Sequence, residues 1–230
     1  MNKRFAGVTA AATLGLMTTA ANAAVILTFG QIGDAPVVTA TANAVAGTTS
    51  LTANAPVTVT QIAGGGPLAN PYTLVLNAHS TDEAGQVGNA VLQHYSGTFS
   101  ITNGASNALS GSFEDALFGA GGALVLAASD AVAGENVDFT SNVIPANLLA
   151  DPQAIAFSFA DVTPAASLVG SGCSTSPSSS PCTLASFASS ISGTASAQTP
   201  TAVPEPATLA LLGSALAGLG LMYRRRRFSA

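Results

Sequence analysis

Between residues 24 and 197 apolar and polar positions alternate in short runs set apart by glycine and proline. Tyr72, Leu74 and Leu76 fall on one face at period two, and Phe99 and Ile101 point one way while Ser and Thr neighbours point the other. That period belongs to a half-buried strand. Residues 24–29, 37–42, 48–53, 57–62, 72–78, 91–95, 96–102, 123–127, 137–141, 154–160, 162–170 and 184–197 read as extended segments. Gly64-Gly65-Gly66-Pro67 is a clear break, and residues 143–150 predict one short helical turn before Asp151-Pro152. Ser96-Gly97, Ser110-Gly111 and Ser192-Gly193 each open an alternating run, which predicts a recurrent turn-then-strand device. Ten or more short strands with almost no helical periodicity predict one all-β domain, an antiparallel β-sandwich or jelly roll. Phe, Tyr, Leu and Val face inward in this reading, and Ser, Thr and Asn form the wet face.

The two ends of the chain follow other patterns. Met1-Asn2-Lys3-Arg4, the apolar residues 5–19 and Ala21-Asn22-Ala23 make a secretory signal peptide over residues 1–23, with cleavage after Ala23. The β domain is expected over 24–197, followed by a polar tether at 198–203. Then come Pro204, Glu205 and Pro206, a stiff extended tripeptide that no helix can run through. Residues 207–223 carry no charge and would reach ~25 Å as a helix, close to the thickness of a bilayer core. Tyr223 has the place of an interfacial aromatic, and Arg224, Arg225, Arg226 and Arg227 would hold the cytoplasmic side. A membrane-spanning segment is expected there.

Residues 203–208, the Leu/Gly/Ala stretch behind them and the arginine cluster, in that order, resemble the PEP-CTERM sorting signal of Gram-negative bacteria. The resemblance covers about 25 residues and spans 204–227 in its core. It implies that an exosortase, a multi-spanning membrane enzyme, recognises Pro204, Glu205 and Pro206 and cuts at or near them. It also implies an exopolysaccharide or biofilm setting, with the body attached to surface or matrix material or released. The Thr/Ser/Gly-rich body bears a looser likeness to exported domains that precede such signals.

Charge sharpens this division. All six Lys and Arg lie at positions 3, 4 and 224–227, while all eleven acids lie between Asp34 and Glu205. Residues 24–205 therefore carry a formal charge of −11 without one basic side chain other than two histidines. Nucleic acid binding, which displaces counterions with Lys and Arg, is excluded for this body. So are guanidinium clamps on phosphate or carboxylate. An anionic surface of this kind either recruits cations or is simply the composition of a weakly charged exported chain.

Cys173 and Cys182 lie nine positions apart within a Ser/Pro-rich stretch, and in an oxidising compartment that spacing predicts a local disulfide. His79 and His94 are the only histidines, and no nucleophile-elbow pattern accompanies the abundant serines, so no catalytic residue is assigned and the protein is read as a non-enzyme. Asp82-Glu83, Glu114-Asp115 and the set Asp130, Glu135 and Asp138 are the carboxylates a calcium ion would use. None has EF-hand spacing, so solvated surface acids are the alternative and no cofactor is assigned. Sugar platforms generally use exposed aromatics for stacking; there is no Trp, and Tyr72 and Tyr95 sit in alternating runs that predict core positions. The reading is a non-enzymatic, exported cell-surface or extracellular-matrix protein, with a calcium- or polysaccharide-binding module as the alternative. Its expected partners are signal peptidase, an exosortase, the membrane through 207–223 and, in the alternative, exopolysaccharide.

Overall fold

In a computed structural model, residues 23–198 are described, apart from positions 66, 67, 69, 88, 89, 121–123, 171, 172 and 174–181. Residues 1–22 of the signal peptide, Pro204 to Pro206, the apolar segment 207–223 and the four arginines lie outside the described residues. Thirteen strands follow one another: β1 (Ala23–Gln31), β2 (Val38–Asn43), β3 (Thr48–Ile62), β4 (Tyr72–Ser80), β5 (Gly85–Val87), β6 (Ala90–Asn103) and β7 (Ser106–Ala120), then β8 (Leu124–Ser129), β9 (Asn136–Thr140), β10 (Ala150–Thr163), β11 (Leu168–Val169), β12 (Thr183–Leu184) and β13 (Phe187–Gln198). One 3-10 turn, Ala146–Leu148, precedes β10, where the sequence predicts it.

The sheet is not a sandwich. Its strands run β6-β4-β3-β1-β13-β10-β8-β7, and β7 pairs back onto β6, so eight antiparallel strands close a barrel. Closure removes the unpaired edges that an open sheet leaves exposed. Five strands of 12 to 15 residues carry the wall. Shorter ones share the slots between them. β1 lies beside β13 and β3 at one end of the barrel, and β2 takes the same slot at the other, pairing Phe187 to Ser189 and Thr48 to Ala53. β8 and β9 divide one edge of β7 in the same way, as β4 and β5 divide one edge of β6.

Inward alternation fills the lumen. An eight-stranded barrel is just wide enough for side chains. Phe157 stands at the centre, with ring centroids of Phe29, Phe99 and Phe113 at 6.2, 5.5 and 6.2 Å. Phe118 organises a second cluster with Tyr95, Phe159 and Phe187. Tyr72 and Tyr95 are buried, as their alternating runs predict. Each such ring contributes roughly 1.5–3 kcal/mol by leaving water. Among the described residues the ion pairs all involve His94, so apolar filling and backbone pairing hold the barrel together.

Several expectations about strand boundaries are corrected: residues 91–95 and 96–102 form the single strand β6, and 162–170 is broken between the end of β10 and the two-residue β11. Residues 48–53 and 57–62 form one strand: Pro56 stays in β3 opposite Thr73, its ring exposed, and its carbonyl accepts the Ile32 N–H at 2.9 Å. The Ser-Gly pairs are not turns. Gly97, Gly111 and Gly193 lie inside β6, β7 and β13, where the wall has no room for a β-carbon. A methyl on Gly193 would meet the Phe29 ring at 2.7 Å and Ala156 O at 2.8 Å. Glycine in a strand interior marks close approach as well as turns, and here it allows the packing.

Candidate functional site

The two histidines separate. His79 is exposed on the outer face of β4, opposite Ser50 and Ser96. His94, on β6, faces the loop after β4, where Thr81 and Asp82 fold back over the strand. Asp82 grips it twice: Oδ1 accepts the His94 backbone N–H at 3.0 Å, and Oδ2 lies 2.7 Å from Nδ1. The Thr81 N–H donates to His94 O at 2.9 Å. Asp115 adds a second carboxylate at 4.0 Å. It is brought there by a bulge that sets Glu114 and Asp115 against Ser96 alone, with Asp115 at φ 57°. The hydrogen bond to Asp82 raises the His94 pKa above its ordinary value; partial burial opposes this, and the charges of Asp82, Asp115 and Glu135 support it. The pair acts as a clip between a loop and a strand.

Directly beneath it lies a buried polar network that the alternation pattern does not announce. Gln93 points inward between Val91 and Tyr95. Its Nε2 donates to Asp82 O at 2.9 Å and to Thr183 Oγ1 at 3.1 Å, while its Oε1 accepts from Tyr95 OH at 3.2 Å and from the Leu184 N–H at 3.3 Å. Thr49 Oγ1 donates to Leu184 O at 2.7 Å and lies 2.6 Å from Thr183 Oγ1. Burial pushes the Tyr95 phenol well above its ordinary pKa. The network anchors β12, and with it Cys182, whose disulfide to Cys173 is formed. A glutamine at an inward register position is the signal in the sequence that would have found it.

The proposed cation ligands are otherwise engaged. Asp130 accepts the N–H groups of Val137 and Gln153, and Glu135 accepts the Ser129 N–H at 2.6 Å. These carboxylates cap the turn between β8 and β9, a common use of a loop acid. Asp138, exposed on the outer face of β9, shares an open cleft of about 610 Å³ with Asp130, Glu135 and Asp151. Among the described residues no three His, Cys, Asp or Glu side chains converge as a metal site would require.

The outer face of β4, β6, β7 and β9 carries hydroxyls and amides in register. Asn77 pairs with Thr98, Thr98 with Ser112 and Ser112 with Asp138, all four exposed. A second row, Val75, Ser100, Ser110 and Thr140, runs beside it. The two rows line a groove of about 460 Å³.

The first and last described residues meet at one end of the barrel. Ala23 pairs with Gln198 and Ala24 with Ala197, so the expected signal-peptide cut lies beside the last residue of β13, six positions before Pro204. This is a closed antiparallel barrel whose first and last strands are neighbours. The family described as the PEP-CTERM protein-sorting motif matches residues 202–227, which takes in Pro204, Glu205, Pro206 and all four C-terminal arginines. The chain is thus an exported protein with a C-terminal exosortase signal, and an exosortase is its processing partner. No curated protein and no solved structure gives a significant match to the chain. Among the described residues no helix is long and apolar enough to cross a membrane.

Proposed function

We propose that this protein is a non-enzymatic component of the cell surface or extracellular matrix. Its barrel passes the inner membrane behind the signal peptide, waits on the apolar segment 207–223, and is freed or transferred when an exosortase cuts near Pro204, Glu205 and Pro206. The carrying observation is the sorting motif at 202–227, set only a few residues behind the last strand of a closed domain. The absence of Lys and Arg from residues 24–205 supports the reading: cutting there discards every C-terminal positive charge and leaves an anionic barrel on a Thr/Pro linker.

Replacing Pro204 and Pro206 with Ala in the native host tests it. The wild-type protein should be recovered with Ala24 at its N-terminus and a mass that lacks the apolar segment. The double variant should keep the segment and stay with the membrane fraction. An unchanged mature mass and location in the variant would defeat the sorting role of these prolines.

A further inference from the structure

We infer that the groove across β4, β6, β7 and β9 is a binding site for a neutral polysaccharide chain. The argument starts from what the groove offers. Asn77, Thr98, Ser100 and Ser112 present hydroxyls and an amide outward, and none of these side chains hydrogen-bonds to another described residue. Ser110 and Thr140 are committed to their neighbours, Ser110 Oγ to Asn107 Oδ1 at 2.8 Å and Thr140 Oγ1 to Ser110 O at 3.5 Å. Donors and acceptors of both kinds therefore stand free on a rigid wall, with Val75 as an apolar patch among them.

Their spacing is set by the sheet. Adjacent strands lie ~4.8 Å apart, close to the length of one pyranose unit, and the row Asn77, Thr98, Ser112, Asp138 crosses four strands in register. Thr52 and Thr39 continue that row across β3 and β2, both exposed. A polyol laid across the strands meets a hydrogen-bonding side chain at each step.

Charge selects the occupant. With no Lys or Arg between residues 24 and 205, a sulfated, phosphorylated or uronic polymer finds only repulsion from Asp138 and from the surrounding acids. A neutral polymer has no such cost, and one carboxylate is a strong acceptor for its hydroxyls. Stacking contributes nothing, since the groove has no exposed aromatic ring. Each unit is consequently held weakly, and retention grows with the number of units engaged, which favours a polymer over a free sugar. This inference does not depend on how the chain ends are processed.

Native gel electrophoresis through gels cast with dextran, laminarin, hydroxyethylcellulose or alginate tests it, using the full chain in an amine-oxide detergent. Retardation is expected in at least one neutral polymer and not in alginate. The variant Asn77→Ala, Thr98→Val, Ser112→Ala should bind at least tenfold more weakly, with unchanged circular dichroism showing that it folds. A control pair on the opposite wall, Ser158→Ala with Thr194→Val, should behave as wild type. No retardation in any neutral polymer, retardation in alginate alone, or equal retardation of the triple variant would each overturn the inference.

Discussion

Adding one methyl group at Gly97 drives a carbon into the wall of the barrel. The new Cβ would collide with Asn77 O and stand 2.7 Å from both Cα and Cβ of Ala78, atoms of the neighbouring strand that cannot rotate away. At Gly111 the same methyl meets Asp138 O, with Phe99 and Phe139 ring carbons at 3.0 Å. At Gly193 it meets the Phe29 ring and Ala156 O. Extra methylenes in a packed interior cost about 1–3 kcal/mol where side chains can adjust. Gly97→Ala and Gly111→Ala press on backbone oxygens, so both belong at the upper end or above. Gly193→Ala presses on a side chain as well, so Phe29→Leu should restore part of its loss. Gly30→Ala is the control, because nothing lies within 4 Å of its Cβ position. In a domain of this size ~1 kcal/mol moves the thermal midpoint about 2–4 °C. Gly97→Ala and Gly111→Ala should therefore melt roughly 5–10 °C below wild type. Midpoints for Gly97→Ala and Gly111→Ala indistinguishable from that of Gly30→Ala would refute the claim that these positions shape the wall.

Other outcomes follow from the end of the barrel that carries His94. Because its folded pKa is raised above 6.5, the His94–Asp82 clip contributes stability fully below pH 6.5 and loses it as pH rises through the folded value. Both groups are partly exposed, so the effect is about 0–1 kcal/mol; His94→Gln should flatten the melting midpoint measured between pH 5 and 8. Reducing the Cys173–Cys182 disulfide, or replacing both cysteines with Ser, should cost somewhat under ~3 kcal/mol in urea unfolding, the chain-entropy value for so short a loop. Gln93→Leu strands buried Tyr95, Thr183 and Leu184 groups and should cost about 1–3 kcal/mol in the same assay, whereas Asn54→Ala, on the exposed face, should stay within ~0.5 kcal/mol.

What the sequence made legible was local. Alternation placed Tyr72, Leu74, Leu76, Phe99 and Ile101 inward, and burial follows it. The sorting signal was legible because its three unlike parts stand in a row. Closure was not, because it rests on pairings between distant strands: β1 with β13, and the split partnerships of β3, β6 and β7. The alternation on β7 changes phase at Glu114 and Asp115, since one bulge moves the inward set from Leu109, Gly111 and Phe113 to Ala116 and Phe118. Proline and glycine read as punctuation in the sequence, but a proline with an exposed ring and a glycine under a neighbour's backbone both sit within a strand. Nor could Asp82 and His94 be joined from spacing alone, since the fold of the loop over β6 brings them together.

The pairing of Ala24 with Ala197 sets a condition on delivery. β1 is first across the membrane and β13 last, yet β13 is the stave that β1 and β10 both require. A chain interrupted anywhere before residue 187 would leave the barrel open along two edges, and it would also lack the sorting signal. The last stave ends at residue 198 and the sorting motif begins at 202, so a chain long enough to carry the motif already holds every strand of the barrel.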